Sequence, residues 1–212
     1  MKDIKQELEA ISVGMQSQVP TETLNAFGQS IADLQTIEFG KTSEEGMQFS
    51  GVAVLSEDGR EISVLDLFQG KRMLVSFVRG SWCPFCNVEI GHLLAYYEEL
   101  KAMNVEVMVI SPMNIEAIKQ WKVDMGMPFT IAQDKELKLS KSLGIDFELQ
   151  DFVQPHYEAL GIDVKAINDT EKAELVLPAV FLLDENGSIT YRYMDVNYGN
   201  RLDLKEVIAK LS

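Results

Sequence analysis

The sequence predicts an α/β domain, a central mixed sheet flanked by helices, with two extra helices at its N-terminus. Three observations carry this. Two continuous apolar runs, 73–78 (MLVSFV) and 105–110 (VEVMVI), bracket a helical stretch over roughly 84–102, the spacing of a parallel strand–helix–strand unit. Residues 179–194 hold two β-rich runs joined at Glu185-Asn186-Gly187, a hairpin pattern. Apolar residues recur at helical spacing near both ends of the chain.

In chain order, Ile4, Leu8, Ile11 and Met15 mark a first helix, Pro20 interrupts it, and Thr21 is placed to cap a second. The second carries Leu24, Phe27, Ile31 and Leu34 on one face. Each apolar face needs a cover. Docking on the main domain is the simpler reading; a lid or a homodimer contact is the sharper one. The span 1–40 is thus an N-terminal helical extension, and 47–212 the main domain. A hairpin around Glu57-Asp58-Gly59 leads into a short helix, then the 73–78 strand. Ile90, Leu93, Leu94, Tyr97 and Leu100 pattern the next helix. Asn114 caps a helix running through Trp121, 128–132 reads as a strand, and Gly144 stops a helix ending at Leu143. Residues 145–176 read as an irregular insertion with a short helix and loops. The closing LKEVIAKL is amphipathic.

Bulk properties exclude several classes. At 212 residues, 46% hydrophobic and 25% charged, the chain can bury a core without staples. A formal charge of −14 argues against nucleic acid and anionic membrane surfaces as partners. The first residues are interrupted by charges and give no signal-peptide core, so cytoplasmic residence is expected. In that reducing compartment a close cysteine pair points to catalysis or metal rather than to structure.

The chain's two cysteines lie in Trp82-Cys83-Pro84-Phe85-Cys86, just after a buried strand and at a helix start. Unpaired N–H groups and the positive end of the helix dipole favour thiolate at the first position, and Arg79 adds to that field. Cys83 is then the nucleophile, expected to face solvent, and Cys86 the resolving thiol. A structural zinc site needs about four ligands. Only His92 and His156 could join the cysteines, and His92, six residues past Cys86, falls on a different helix face. No metal, flavin or nicotinamide motif is visible, so no cofactor is expected. Both histidines read as surface or supporting residues.

The segment FVRGSWCPFCNVEI resembles the active-site segment of peroxiredoxin-like proteins of the AhpC/TSA family, within the thioredoxin superfamily. The runs at 109–112 (VISP), 177–189 (LPAVFLLDENGSI) and from 198 (YGNRLDLKEVIAKL) to the end continue the likeness in order. The resemblance implies a thioredoxin-like fold. It also implies that Pro178 follows a cis bond and faces the dithiol, with Leu177 presenting backbone groups to substrate. Pro178, Leu177, Trp82 and Arg79 are the candidate substrate-contacting residues. The chain departs from the family's peroxide motif, Pro-xxx-Thr-xx-Cys. Ending it on Cys83 puts Ser76 and Gly80 at the proline and threonine positions; ending it on Cys86 puts Arg79 and Cys83 there. Pro178 occupies the usual arginine position, leaving Arg79, Arg192 and Arg201 as substitutes. The strand before the dithiol also lacks the buried aspartate of thioredoxins. The expected function is a thiol oxidoreductase that reduces hydroperoxides through a Cys83/Cys86 dithiol–disulfide cycle, with an external dithiol such as a thioredoxin as reductant. The alternatives are a thioredoxin-like protein disulfide reductase and a redox-responsive binding module.

Overall fold

The computed structural model describes residues 3–67 and 70–211. The ends of the two expected spans, residues 1, 2 and 212, and the internal pair 68–69 lie outside the described residues. Helices α1 (Ile4–Gln18) and α2 (Thr21–Leu34) come first. Asp3 caps α1 by accepting from Lys5 N–H. Thr21 is not the cap of α2 but its first helical residue, because Pro20 holds the extended cap position.

A hairpin of β1 (Ala53–Ser56) and β2 (Glu61–Ser63) follows, with one 3₁₀ turn over Val64–Leu67. Then come β3 (Arg72–Phe77), α3 (Pro84–Ala102), β4 (Val105–Ser111), α4 (Ile115–Met125) and β5 (Thr130–Gln133). The Asn114 side chain accepts from Ala117 N–H, and α4 runs one turn beyond Trp121. α5 (Lys138–Leu143) stops at Gly144, whose φ of +67° is the left-handed cap that favours glycine. Residues 145–176 are more regular than expected. They hold β6 (Asp146–Glu148), α6 (Gln154–Ala159), α7 (Val164–Asn168) and β7 (Glu174–Val176), with β6 and β7 paired antiparallel. Their apolar residues are spread over four short elements, so no window is long enough for a period to show. β8 (Ala179–Leu183), β9 (Ile189–Met194) and α8 (Leu204–Leu211) complete the chain.

The main sheet runs β2-β1-β5-β4-β3-β8-β9. It is mixed: β3–β4 and β4–β5 are parallel, β3–β8 and β8–β9 antiparallel. Side chains alternate across β3. Leu74 and Val78 join Ile90, Leu93 and Leu100 of α3 and Val207 of α8 in one core. Met73, Val75 and Phe77 join Phe49, Leu143 and Phe181 in the other. Ser76 lies on the α3 side and points a hydroxyl at that helix, which matters below.

The two N-terminal helices dock on the body, each through one of the chain's two histidines. On α1, Ile4 and Leu8 enter the α3 core, and Glu7 Oε1 lies 3.2 Å from His92 Nε2. His92 is therefore buried rather than a surface residue. On α2, Thr23 Oγ1 lies 3.0 Å from His156 Nδ1, and Ser30 Oγ donates to Gln150 Oε1 at 2.7 Å. Phe27 packs its ring 5.1 Å from that of Tyr157 and shares a small core with Leu149, Val153 and Leu175. Thus α2 sits on the 145–176 segment and α1 on the helix that carries the cysteines. Phe27→Ala should cost about 3–5 kcal/mol in chemical denaturation if α2 unfolds with the body. A change within 1 kcal/mol would show that its docking is energetically separate.

Candidate active site

The chain leaves β3 at Phe77 and reaches α3 through Val78–Cys83. Gly80 makes the turn with φ +150°, and a Cβ there would sit 2.7 Å from Trp82 Nε1 and 2.8 Å from Met113 Sδ. Gly80 O accepts from Cys83 N–H at 3.1 Å. Asn87 Nδ2 donates to Ser81 O at 2.8 Å, while Trp121 Nε1 donates to Asn87 Oδ1 at 2.9 Å. The loop is thereby tied to α3 and α4. Pro84 opens α3, where its missing N–H costs nothing, and Cys83 is the N-cap residue.

Both thiols are free and buried; Cys83 is 1% exposed. The expectation of a solvent-facing Cys83 is corrected: Cys83 lies in the core cluster with Phe85, Met113 and Leu202, and Trp82 packs against that cluster. The two sulfurs differ electrically. Burial pushes the Cys83 thiol up, but the Cys86 thiol donating to it, the Arg79 cation and the Arg201 cation outweigh burial and bring it down to about 6. Cys86 moves the other way, raised by burial, by that same donated hydrogen bond and by the Cys83 charge.

Arg79 is 2% exposed and lies inside a cage of rings. Its guanidinium carbon is 4.2 Å from the Tyr198 centroid, 4.8 Å from Trp82 and 5.5 Å from Tyr157. Nη2 donates to Tyr157 Oη. Among the described residues no carboxylate pairs with it, and its buried Nε has no hydrogen-bond partner. Arg201 is the second buried cation. Its Nε stands 2.6 Å from Glu89 Oε2, Nη2 donates to Cys86 Sγ at 3.4 Å, and Nη1 donates to the carbonyls of Tyr198 and Asn200. Glu89 accepts from Ser76 Oγ at 2.5 Å and is itself buried. Burial, opposed by Arg201 and aided by the Cys86 thiolate form, pushes its carboxyl up to about 7.

Of the residues singled out in the sequence, Cys83, Cys86, Trp82 and Arg79 come together. Arg201 joins them, but Arg192 does not; it donates to Gly40 O at 2.6 Å. The expected cis bond is corrected: Leu177–Pro178 is trans. This segment links β7 to β8 as extended chain, with Leu177 N–H donating to Ile145 O at 2.8 Å and Pro178 O accepting from Asp195 N–H at 3.5 Å. The bond to Ile145 O occupies the Leu177 N–H, and the Leu177 side chain is buried in the far core, so the N–H is not free for a substrate strand. Sequence reasoning missed Glu89, Tyr157 and Tyr198. Glu89 had a signal: it lies three residues past Cys86, on the same helix face. The two tyrosines had none, since they reach the site from separate loops and helices.

The family model of the AhpC/TSA family matches residues 46–192. Peroxiredoxin Bcp of Escherichia coli (strain K12) is 26% identical over 148 residues, 70% of this chain and 83% of that protein. Thiol-disulfide oxidoreductase ResA of Bacillus anthracis is 28% identical over 115 residues, 54% of this chain and 62% of that protein. Reduced Prx3 from Vibrio vulnificus, solved in complex with H2O2, superposes with a TM-score of 0.63 at 16% identity, over 80% of this chain and 99% of that one. It shares the fold.

The electrostatic asymmetry has a direct readout. In the reduced protein, ultraviolet thiolate absorbance should rise with a midpoint near pH 6, and Cys83→Ser should remove that step. Arg79→Met, of similar length, should raise the midpoint by about 1–3 units. An unmoved midpoint would show that Arg79 does not hold the thiolate. The chain belongs to the AhpC/TSA family.

Proposed function

We propose that this protein is a peroxiredoxin-like thiol peroxidase in which Cys83 attacks the hydroperoxide and Cys86 resolves the product. The observation that carries this reading is the opposite displacement of the two thiols inside one buried charge cluster. Membership of a family whose relatives include peroxiredoxins supports the reaction class.

In this mechanism the Cys83 thiolate attacks the terminal peroxide oxygen. A sulfur–oxygen bond forms, the O–O bond breaks, and the alkoxide or hydroxide leaves and takes a proton from water. Arg79 supplies the positive field: its unpartnered Nε is a donor available to the peroxide oxygens, in place of the missing threonine and family arginine. Cys83 is now a sulfenic acid. Cys86 loses its proton to Glu89, whose carboxyl near pH 7 is matched to that transfer, and Arg201 lies between them. The Cys86 thiolate attacks the Cys83 sulfur, water departs, and an internal disulfide remains. An external dithiol then returns two electrons by exchange. The three-residue spacing favours this local bond over one between chains.

Among the described residues no helix is long and apolar enough to cross a membrane. Cytoplasmic residence belongs to this reading because the cycle needs a reducing pool. A second reading, disulfide reduction, is favoured by the Cys-Pro-Phe-Cys dithiol itself and by the likeness to ResA.

Anaerobic stopped-flow of reduced protein against hydrogen peroxide, an alkyl hydroperoxide and a disulfide separates the two. Fast oxidation by peroxide, with loss of two hydrogens within one monomer by mass spectrometry, is the expected outcome. Protein that ignores peroxide but oxidises rapidly with the disulfide is a reductase instead. Glu89→Gln should slow disulfide closure so that a sulfenic acid can be trapped with dimedone. It should also erase the acid-side loss of closure rate, since below about pH 7 the native carboxyl is protonated and cannot accept. Closure with wild-type pH dependence in this variant would remove Glu89 from the mechanism.

A further inference from the structure

An open groove of about 870 Å³ runs between the two N-terminal helices and the loop that carries Tyr198 and Arg201. Its apolar lining comes from Leu8 and Met15 of α1, Leu24, Phe27 and Ile31 of α2, and Phe85 of the cysteine motif. Hydrogen peroxide does not need such a space; 300–1,000 Å³ is roughly the range of clefts that hold drug-sized organic molecules. Neither cysteine lines the groove, but two residues that do, Phe85 and Arg201, connect it to the dithiol motif. Arg201 lines it and bonds Cys86 Sγ through Nη2 at 3.4 Å. Phe85 and Tyr198 also line it and meet edge to face, ring centroids 5.9 Å apart. Tyr198 is in turn the ring nearest Arg79. Both sulfurs are buried, so a molecule in the groove reaches them only when part of this cover moves.

The charge of the rim restricts what enters. Glu9, Asp195 and Glu206 face Lys5. Arg201, the remaining cation of the lining, is paired with Glu89. The rim is therefore net negative, on a chain of formal charge −14. A carboxylate-bearing molecule is repelled, while an uncharged apolar one is not. Most of the apolar wall comes from α1 and α2, which precede the family match at residues 46–192.

We propose that α1 and α2 form a specificity wall that admits uncharged, bulky organic hydroperoxides to Cys83 and excludes carboxylate-bearing ones. This rests on the peroxidase reading above, and the chemistry is the same: the thiolate takes the terminal oxygen, the O–O bond breaks, and the organic alcohol leaves through the groove.

Gly28 provides the test. It lines the groove on α2, and a Cβ there meets nothing within 4 Å, so Gly28→Leu fills the space without crowding the helix. Leucine is also the better helix former. Cumyl alcohol, the product of cumene hydroperoxide, should bind the wild type by calorimetry and fail to bind Gly28→Leu. In single-turnover oxidation, the rate ratio of cumene hydroperoxide to hydrogen peroxide should fall about tenfold in this variant. The para-carboxylate analogue should react roughly three- to tenfold more slowly than cumene hydroperoxide at low salt, with the gap closing as salt is added. Glu9→Lys with Glu206→Lys should reverse that preference. No binding of the alcohol to the wild type, an unchanged ratio in Gly28→Leu, or equal rates for the two analogues would overturn the proposal. If no hydroperoxide oxidises the dithiol while the alcohol binds wild type and not Gly28→Leu, the groove stands and the peroxidase reading fails.

Discussion

A buried guanidinium that no carboxylate among the described residues pairs with is the feature around which the site is organised. An unpaired charge in the interior costs several kcal/mol, and proteins retain one only where something offsets it. Around Arg79 the offset comes from three ring faces and one phenol oxygen. Ring quadrupoles soften the cost but carry no net charge. The anion that completes the cluster is the Cys83 thiolate. The count then closes: two cations, Arg79 and Arg201, face one carboxylate, Glu89, and one thiolate. A second thiolate would overcharge the cluster, which is why burial and the Cys83 charge drive Cys86 upward while Cys83 falls. The dithiol is asymmetric because its surroundings hold room for one negative charge.

The same constraint gives the two N-terminal helices and residues 145–176 a task. Tyr157, which accepts from Arg79, lies on α6 within 145–176, and the Phe27 ring of α2 packs 5.1 Å from it. The cage around the cation is therefore assembled from β3's exit, the 145–176 segment and the loop that carries Tyr198, with α2 backing Tyr157. α1 contributes differently, pressing Ile4 and Leu8 into the core behind α3 and meeting His92 through Glu7. Such layers exclude water, and with water excluded each charge in the cluster acts more strongly on the next.

How far the sequence could be read follows from which interactions are local. The strands, α3, the caps at Asn114 and Gly144 and the cysteine motif are written in runs or spacings of a few residues, and they appear in the fold as expected. The order 145–176 adopts was hidden because four short elements never show a full period. Pro178 misled for a different reason. Its place before a β-run matches the cis proline of thioredoxin-like proteins, yet here Leu177 N–H and Pro178 O are both committed to extended-chain hydrogen bonds. Glu89 answers the question left open by the apolar strand. The buried acid stands on the helix instead and reaches back to that strand's Ser76. Its position was visible; its burial was not, because burial depends on Arg201, which lies 112 residues further along the chain.

Oxidation removes the charge that balances Arg79. Once the disulfide forms, the guanidinium keeps its rings and its phenol but loses its anion, while the Glu89–Arg201 pair stays whole. The reduced state is thus favoured by an interaction the oxidised state lacks. A dithiol stabilised in this way makes a disulfide that yields readily to an attacking thiol. Attack on Cys83 sulfur would restore the thiolate at Cys86 first, beside Arg201 and Glu89, where a proton is at hand. The arrangement that lowers the barrier to oxidation by peroxide therefore also keeps the disulfide from being a thermodynamic sink, and a site that must turn over needs both.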